Sequence, residues 1–242
     1  MITIKLMENK ESTFSNILAT ITKDRERTNI LKKHEQNLIA FLVQRIPKCI
    51  NSDMLTGIGM LGTLITMGSF ILAHFYSRTF LLLGILGFIV NWFGDSLDGR
   101  LAYYRNCPRK WYGFSLDFIV DWLTNICIGI GYIVYVECKF ELLGFGFVVL
   151  YGWAMMMALM RYKITDKYTI DSGIFGPTEV RVILSVMLVL EVLIKDSIIY
   201  SSAVACLILL ILNIKDFRNL LIIADQRDKQ EKQAKEEQVS HE

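Results

Sequence analysis

The chain has 242 residues, 53% of them hydrophobic, a formal net charge of +2 and a mean hydropathy of +0.39. So small a charge argues against a nucleic-acid partner, and the apolar content is high for a water-soluble domain. Cys49, Cys107, Cys127, Cys138 and Cys206 show no metal-ligand or redox spacing, and His34, His74 and His241 are too scattered to centre a site.

Residues 1–46 are charged and mixed, without the basic stretch and apolar core of a signal peptide. Within them, Leu31 to Val43 carries Leu31, Leu38, Phe41 and Leu42, with Lys32, Lys33 and Arg45 nearby. This pattern predicts an amphipathic helix, either lying on a cytoplasmic membrane surface or packing on its own protein. Pro47 ends it. Asn51, Ser52 and Asp53 offer caps for the next helix.

Six apolar stretches follow, each near the length needed to cross a bilayer. They run from Met54 to Phe75, Phe80 to Tyr104, Gly113 to Val136, Leu142 to Arg161, Thr178 to Ile194, and Ile198 to Ile214 with a possible extension to Ala224. The expected fold is an all-α integral membrane protein: a cytoplasmic N-terminal segment (1–46) with its amphipathic helix, a six-helix membrane domain (47–224) and a charged, solvated cytoplasmic tail (225–242). The loop from Lys163 to Pro177 is polar and too long for a tight hairpin. Trp92, Trp111, Trp122 and Trp153 are expected at membrane interfaces, and the glycines of the first and fourth spans at close helix contacts.

Lysine and arginine bias sets the orientation. Arg105, Arg109, Lys110, Lys163 and Lys167 fall on the side of both termini, whereas Arg78, Lys139 and Lys195 fall one per loop on the other. The first side is expected to be cytoplasmic.

Four carboxylates interrupt the apolar pattern: Asp95 and Asp98 near the end of the second span, Asp117 and Asp121 near the start of the third. Spacings of three and four residues put each pair on one helix face. Each carboxylate costs roughly 2.5–3.5 kcal/mol at the centre of a membrane helix, so four would cost on the order of 10 kcal/mol unless offset. Two divalent cations would balance four negative charges, and an all-oxygen donor set suits Mg²⁺ or Mn²⁺.

The pattern Asp95-x-x-Asp98-Gly99-x-x-Ala102, then Gly113-x-x-x-Asp117-x-x-x-Asp121, resembles the signature of the CDP-alcohol phosphotransferase family. The resemblance implies a metal-dependent transfer in phospholipid biosynthesis. A substituted phosphate passes from a CDP-linked lipid donor, expected to be CDP-diacylglycerol, to a small alcohol or phospholipid acceptor, and CMP is released. It implies Asp95, Asp98, Asp117 and Asp121 as metal ligands, Asp121 also as the base, and a homodimer among membrane lipids. Asp98, Gly99, Ala102 and Gly113 become candidates for the nucleotide; Gly99 and Gly113 lack side chains and Ala102 adds little bulk, so it can approach the backbone there. The family usually has arginine after the alanine, where this chain has Tyr103.

A second constellation, Gly176-Pro177-Thr178-Glu179-Val180-Arg181, opens the fifth span. Pro177 suits a first helical turn, and Glu179 suits the positive end of the helix dipole. Glu179 and Arg181, with Arg105, are also candidates for binding phosphate or acceptor. Two other readings compete with the enzyme: an ion-coupled transporter, for which the aspartates sit far from midplane, and a catalytically impaired nucleotide- or lipid-binding relative, suggested by Tyr103.

Overall fold

The computed structural model describes residues 32–136, 140–165 and 176–240. The first 31 residues of the N-terminal segment, residues 137–139 of the third connection, residues 166–175 of the long polar loop and the last two residues lie outside the described residues.

Among the described residues the chain is helical and has no strand. The helices are α1 (Lys32–Val43), α2 (Ser52–Phe75), α3 (Leu81–Tyr104), α4 (Lys110–Tyr135), α5 (Glu141–Thr165), α6 (Pro177–Leu193) and α7 (Ser197–Ser240). A single 3-10 turn, Arg78–Phe80, leads into α3. Five of them, α2 to α5 and α7, are long and apolar enough to cross a membrane. The predicted fifth span, α6, is shorter at 17 residues. Leu61, Ile89, Phe145 and Ile211 are each more than half exposed, and outward apolar side chains in such numbers suit lipid rather than water.

Local chemistry explains where the helices stop. The Asn51 side chain caps α2 by accepting the Met54 N–H at 2.8 Å. Asn106, with φ 56°, ends α3 in the left-handed conformation that asparagine tolerates. The Cys107 N–H then bonds the Ala102 carbonyl at 3.0 Å. Arg105 donates to the carbonyls of Ile46, Pro47 and Ile50, tying this reversal to the chain entering α2. Pro177 and Glu179 open α6 as expected; the Glu179 carboxylate accepts the Gly176 N–H at 3.1 Å. In the last turn of α6, the buried Glu191 accepts the Tyr135 hydroxyl at 2.7 Å and the Ile198 N–H at 2.9 Å, so the turn that follows is held by one carboxylate.

Helices α2 and α3 touch backbone to backbone through Gly59, Gly62, Gly87 and Gly94. A methyl group at Gly62 would collide with the Asn91 backbone nitrogen and meet the Gly87 carbonyl oxygen at 2.6 Å. Gly57, by contrast, faces open space, and Gly146 has only Cys206 Sγ, at 4.0 Å. Small residues therefore make a close contact at some of the expected positions and not at others. Two tryptophans also depart from the interfacial expectation. Trp122 lies against Gly152, and Trp92 packs on the core beneath α1. That core joins Ile39, Ala40 and Val43 to Leu55, Leu97 and Leu101, so α1 packs on its own protein and leaves Leu38 and Phe41 exposed.

The tail is helical rather than frayed, because α7 continues through Ser240, and its described side chains beyond Asp225 are mostly exposed. Pairs four residues apart, Arg227 with Glu231 and Asp225 with Lys229, support an extension rich in good helix formers. Arg227 also donates to the Lys163 and Ile164 carbonyls at the end of α5.

Gly62→Ala is expected to cost about 1–3 kcal/mol through overpacking and to lower the Tm of the purified protein in detergent. Gly57→Ala is expected to leave it unchanged or raise it slightly, since alanine is the better helix former by ~1 kcal/mol.

Candidate functional site

Asn106 and the turn after it reverse the chain so that the end of α3 lies beside the start of α4. Asp95 on α3 then meets Asp117 and Asp121, one turn apart on α4. A carboxylate oxygen from each lies within 4.8 Å of the other two, and all three residues are half-buried. The four predicted ligands thus come together as three. Asp98 is held separately: its Oδ2 accepts the Thr56 hydroxyl at 2.7 Å, and its Oδ1 accepts the Gly99 N–H. Ser52 donates to its backbone carbonyl at 2.8 Å. These bonds satisfy a carboxylate that is otherwise buried among α2 and α3.

Two cavities flank the cluster. The outer one, of about 140 Å³, is lined by Asp98, Gly99, Ala102, Gly113 and Asp117 together with Thr56, Tyr103, Arg109, Lys110 and Trp111. All four residues predicted to face the nucleotide are on its wall. A methyl group at Gly113 would meet nothing within 4 Å, so the backbone there is open to a ligand. Arg109 pairs with Asp53 and stacks over the Tyr112 ring at 4.1 Å. The inner chamber, of about 50 Å³, lies deeper between α3, α4, α5 and α6. Its polar wall is Asn91, Asp121, Thr124, Asn125, Tyr151 and Arg181; apolar side chains from the same four helices, Pro177 and Val180 of α6 among them, complete it.

A chain of polar contacts fixes the cluster to the bundle. Arg181 Nη2 meets Asp95 Oδ2 at 2.6 Å with the two side chains only 13% and 22% exposed. Its Nε donates to Asn91 Oδ1 at 2.8 Å. Asn91 Nδ2 in turn donates to the Gly59 carbonyl and to Thr63 Oγ1, both at 3.1 Å. Thr63 and Thr124 hydroxyls are 2.9 Å apart. Close approach of α2 and α3 at their glycines is what brings Asn91 within reach of the Gly59 carbonyl. A pair this dry persists only when its remaining donors and acceptors are satisfied, and Asn91 does that here.

Of the remaining candidates, Glu179 is buried and caps α6, while Arg105 is spent on backbone carbonyls and lines neither cavity. Arg181 faces the inner chamber, but as the partner of Asp95. Asn91, Asn125, Thr56 and Tyr151 were not anticipated. Asn91 and Asn125 had a signal in the sequence, since amide side chains inside apolar runs need buried partners. Tyr151 had none: nothing local tells a chamber tyrosine from a lipid-facing one.

The chain matches no family model and no curated protein. The likeness to the CDP-alcohol phosphotransferases therefore stands on the motif residues alone.

Arg181→Met is expected to destabilise the protein by about 3–5 kcal/mol, the usual cost of leaving one member of a buried pair. Adding Asp95→Asn is expected to recover part of that loss. A double-mutant cycle read by chemical unfolding in detergent then gives a coupling of about 1–3 kcal/mol.

Proposed function

We propose that this chain is a multi-pass membrane transferase of the CDP-alcohol type, with six spans and with the site and both termini on the cytoplasmic side. The observation that carries this reading is the meeting of Asp95, Asp117 and Asp121 between two cavities. The chemistry of the outer cavity suits a diphosphate: its wall combines small residues with Arg109 and Lys110, cations that suit phosphate. These two also supply positive charge near Tyr103, where the resemblance expects arginine. Helix α6, about 25 Å long at 1.5 Å per residue, packs against α3 and α7, which supports counting it as the sixth span. The charged ends at Arg105, Arg109, Lys110, Arg161 and Lys163 favour this side as the cytoplasmic one.

The donor set fits Mg²⁺ or Mn²⁺: three carboxylates, oxygen only, close enough to share a cation. Asp95, Asp117 and Asp121 would hold it, with Asp98 steadied against Thr56 at the nucleotide. When bound, such an ion neutralises diphosphate charge and polarises the phosphoryl group.

The chain's own residues do the rest. Asp121 faces the inner chamber and takes the proton of an acceptor hydroxyl there. The freed oxygen bonds the lipid-side phosphorus of the diphosphate. The bridging bond from that phosphorus to oxygen breaks, and its electron pair leaves with CMP. Half-burial of the carboxylates limits the access of water, which would otherwise compete as acceptor.

With purified protein, CDP-diacylglycerol, Mg²⁺ or Mn²⁺ and a panel of alcohols, CMP is expected to be released only when donor, metal and an acceptor are all present. Asp121→Asn is expected to lower the rate by ~10²–10⁴-fold, the usual contribution of a general base, with Tm little changed. Asp117→Asn is expected to raise the metal concentration needed for half-maximal rate. Absence of CMP release with every acceptor and both metals would overturn the reading.

A further inference from the structure

The inner chamber is a distinct space from the outer cavity, and its chemistry selects an acceptor. The two ionised side chains on its wall, Asp121 and Arg181, carry opposite charges. Arg181 is already committed twice, through Nη2 to Asp95 at 2.6 Å and through Nε to Asn91 at 2.8 Å. No other lysine or arginine lines the chamber among the described residues. The cationic side chains nearby are held elsewhere: Arg161 pairs with Asp216, and Arg109 and Lys110 line the outer cavity. A phosphate monoester would bring up to two further negative charges beside Asp121, while among the described residues the positive charge there, Arg181 and the divalent ion proposed above, is already matched by Asp95, Asp117 and Asp121; desolvated like charges repel strongly.

The wall instead offers neutral hydrogen-bonding groups. The Tyr151 hydroxyl makes no hydrogen bond to another described residue, and its ring is held by Phe147 at a centroid distance of 5.8 Å. Asn125 uses its amide nitrogen on the Val148 carbonyl at 3.3 Å, which leaves its oxygen to accept. A hydroxyl donor, an amide acceptor and apolar walls match an alcohol.

We propose that the inner chamber binds an uncharged alcohol in preference to its phosphorylated counterpart, with the Tyr151 hydroxyl as the contact that holds the acceptor beside Asp121. This rests on the transferase reading above and narrows its acceptor class.

The test uses the full chain with CDP-diacylglycerol and Mg²⁺, and compares matched pairs: glycerol with glycerol phosphate, and inositol with inositol phosphate. Each uncharged alcohol is expected to give a kcat/KM at least about tenfold above that of its phosphorylated partner. Tyr151→Phe is expected to raise the KM for the uncharged acceptor about tenfold, as for one lost hydrogen bond, and to leave the KM for the donor and the Tm unchanged. Higher kcat/KM for the phosphorylated partners, or an unaltered acceptor KM in Tyr151→Phe, would overturn the proposal while leaving the transferase standing. Absence of CMP release with all four acceptors would instead remove the transferase reading, and this one with it.

Discussion

Acidic side chains set among apolar helices are the constraint from which the rest of this structure follows. Asp95, Asp98, Asp117 and Asp121 each carry a charge that a membrane-type bundle resists, and each is answered differently. Asp95 is matched by Arg181 across two helices. Asp98 is answered by hydrogen bonds from Thr56 and Gly99. Asp117 and Asp121 join Asp95 in a cluster close enough for a shared cation. The bundle does not dilute this charge by distributing it. It concentrates it at one end, between two cavities.

That concentration depends on backbone geometry some distance away. Glycines at 59, 62, 87 and 94 let α2 and α3 approach until their backbones touch. Only then can Asn91 reach both the Gly59 carbonyl and Arg181. The Asn106 reversal and the Arg105 clamp fix the other neighbour, α4, so that its two aspartates face α3. At the opposite end, Glu191 and the Tyr132–Ser202 hydrogen bond of 2.6 Å tie α4 and α6 to α7. One end of the bundle is thus tied by hydrogen bonds, and the other gathers carboxylates between two cavities.

Much of this was legible in the sequence. Apart from the end of α7, helix positions agreed to within a few residues, because long apolar runs and capping residues such as Asn51 and Pro177 are local signals. Asp98, Gly99, Ala102 and Gly113, which the motif marked, share the wall of the outer cavity because they lie within two helical segments joined by one turn. What could not be read depends on helices distant in sequence. Arg181 looked like a ligand for phosphate and instead neutralises Asp95, 86 residues away. Arg105 looked like another and instead holds carbonyls near Pro47. Separation of Asp98 from the other three follows from Thr56, whose role no spacing rule reveals. Helical continuation of α7 past residue 225 also went unread, since its charges suggested a solvated tail rather than pairs four residues apart.

The claim on which all this turns is that Asp95, Asp117 and Asp121 hold a divalent cation together. Binding of Mn²⁺ to the purified full chain, followed by the loss of its free-ion electron paramagnetic resonance signal, tests it without any assumption about substrate. Saturable binding that Mg²⁺ displaces is expected, weakening sharply when Asp95, Asp117 or Asp121 is singly replaced by alanine in a protein that remains folded. Mn²⁺ binding that is absent, or that survives all three replacements unchanged, would contradict it.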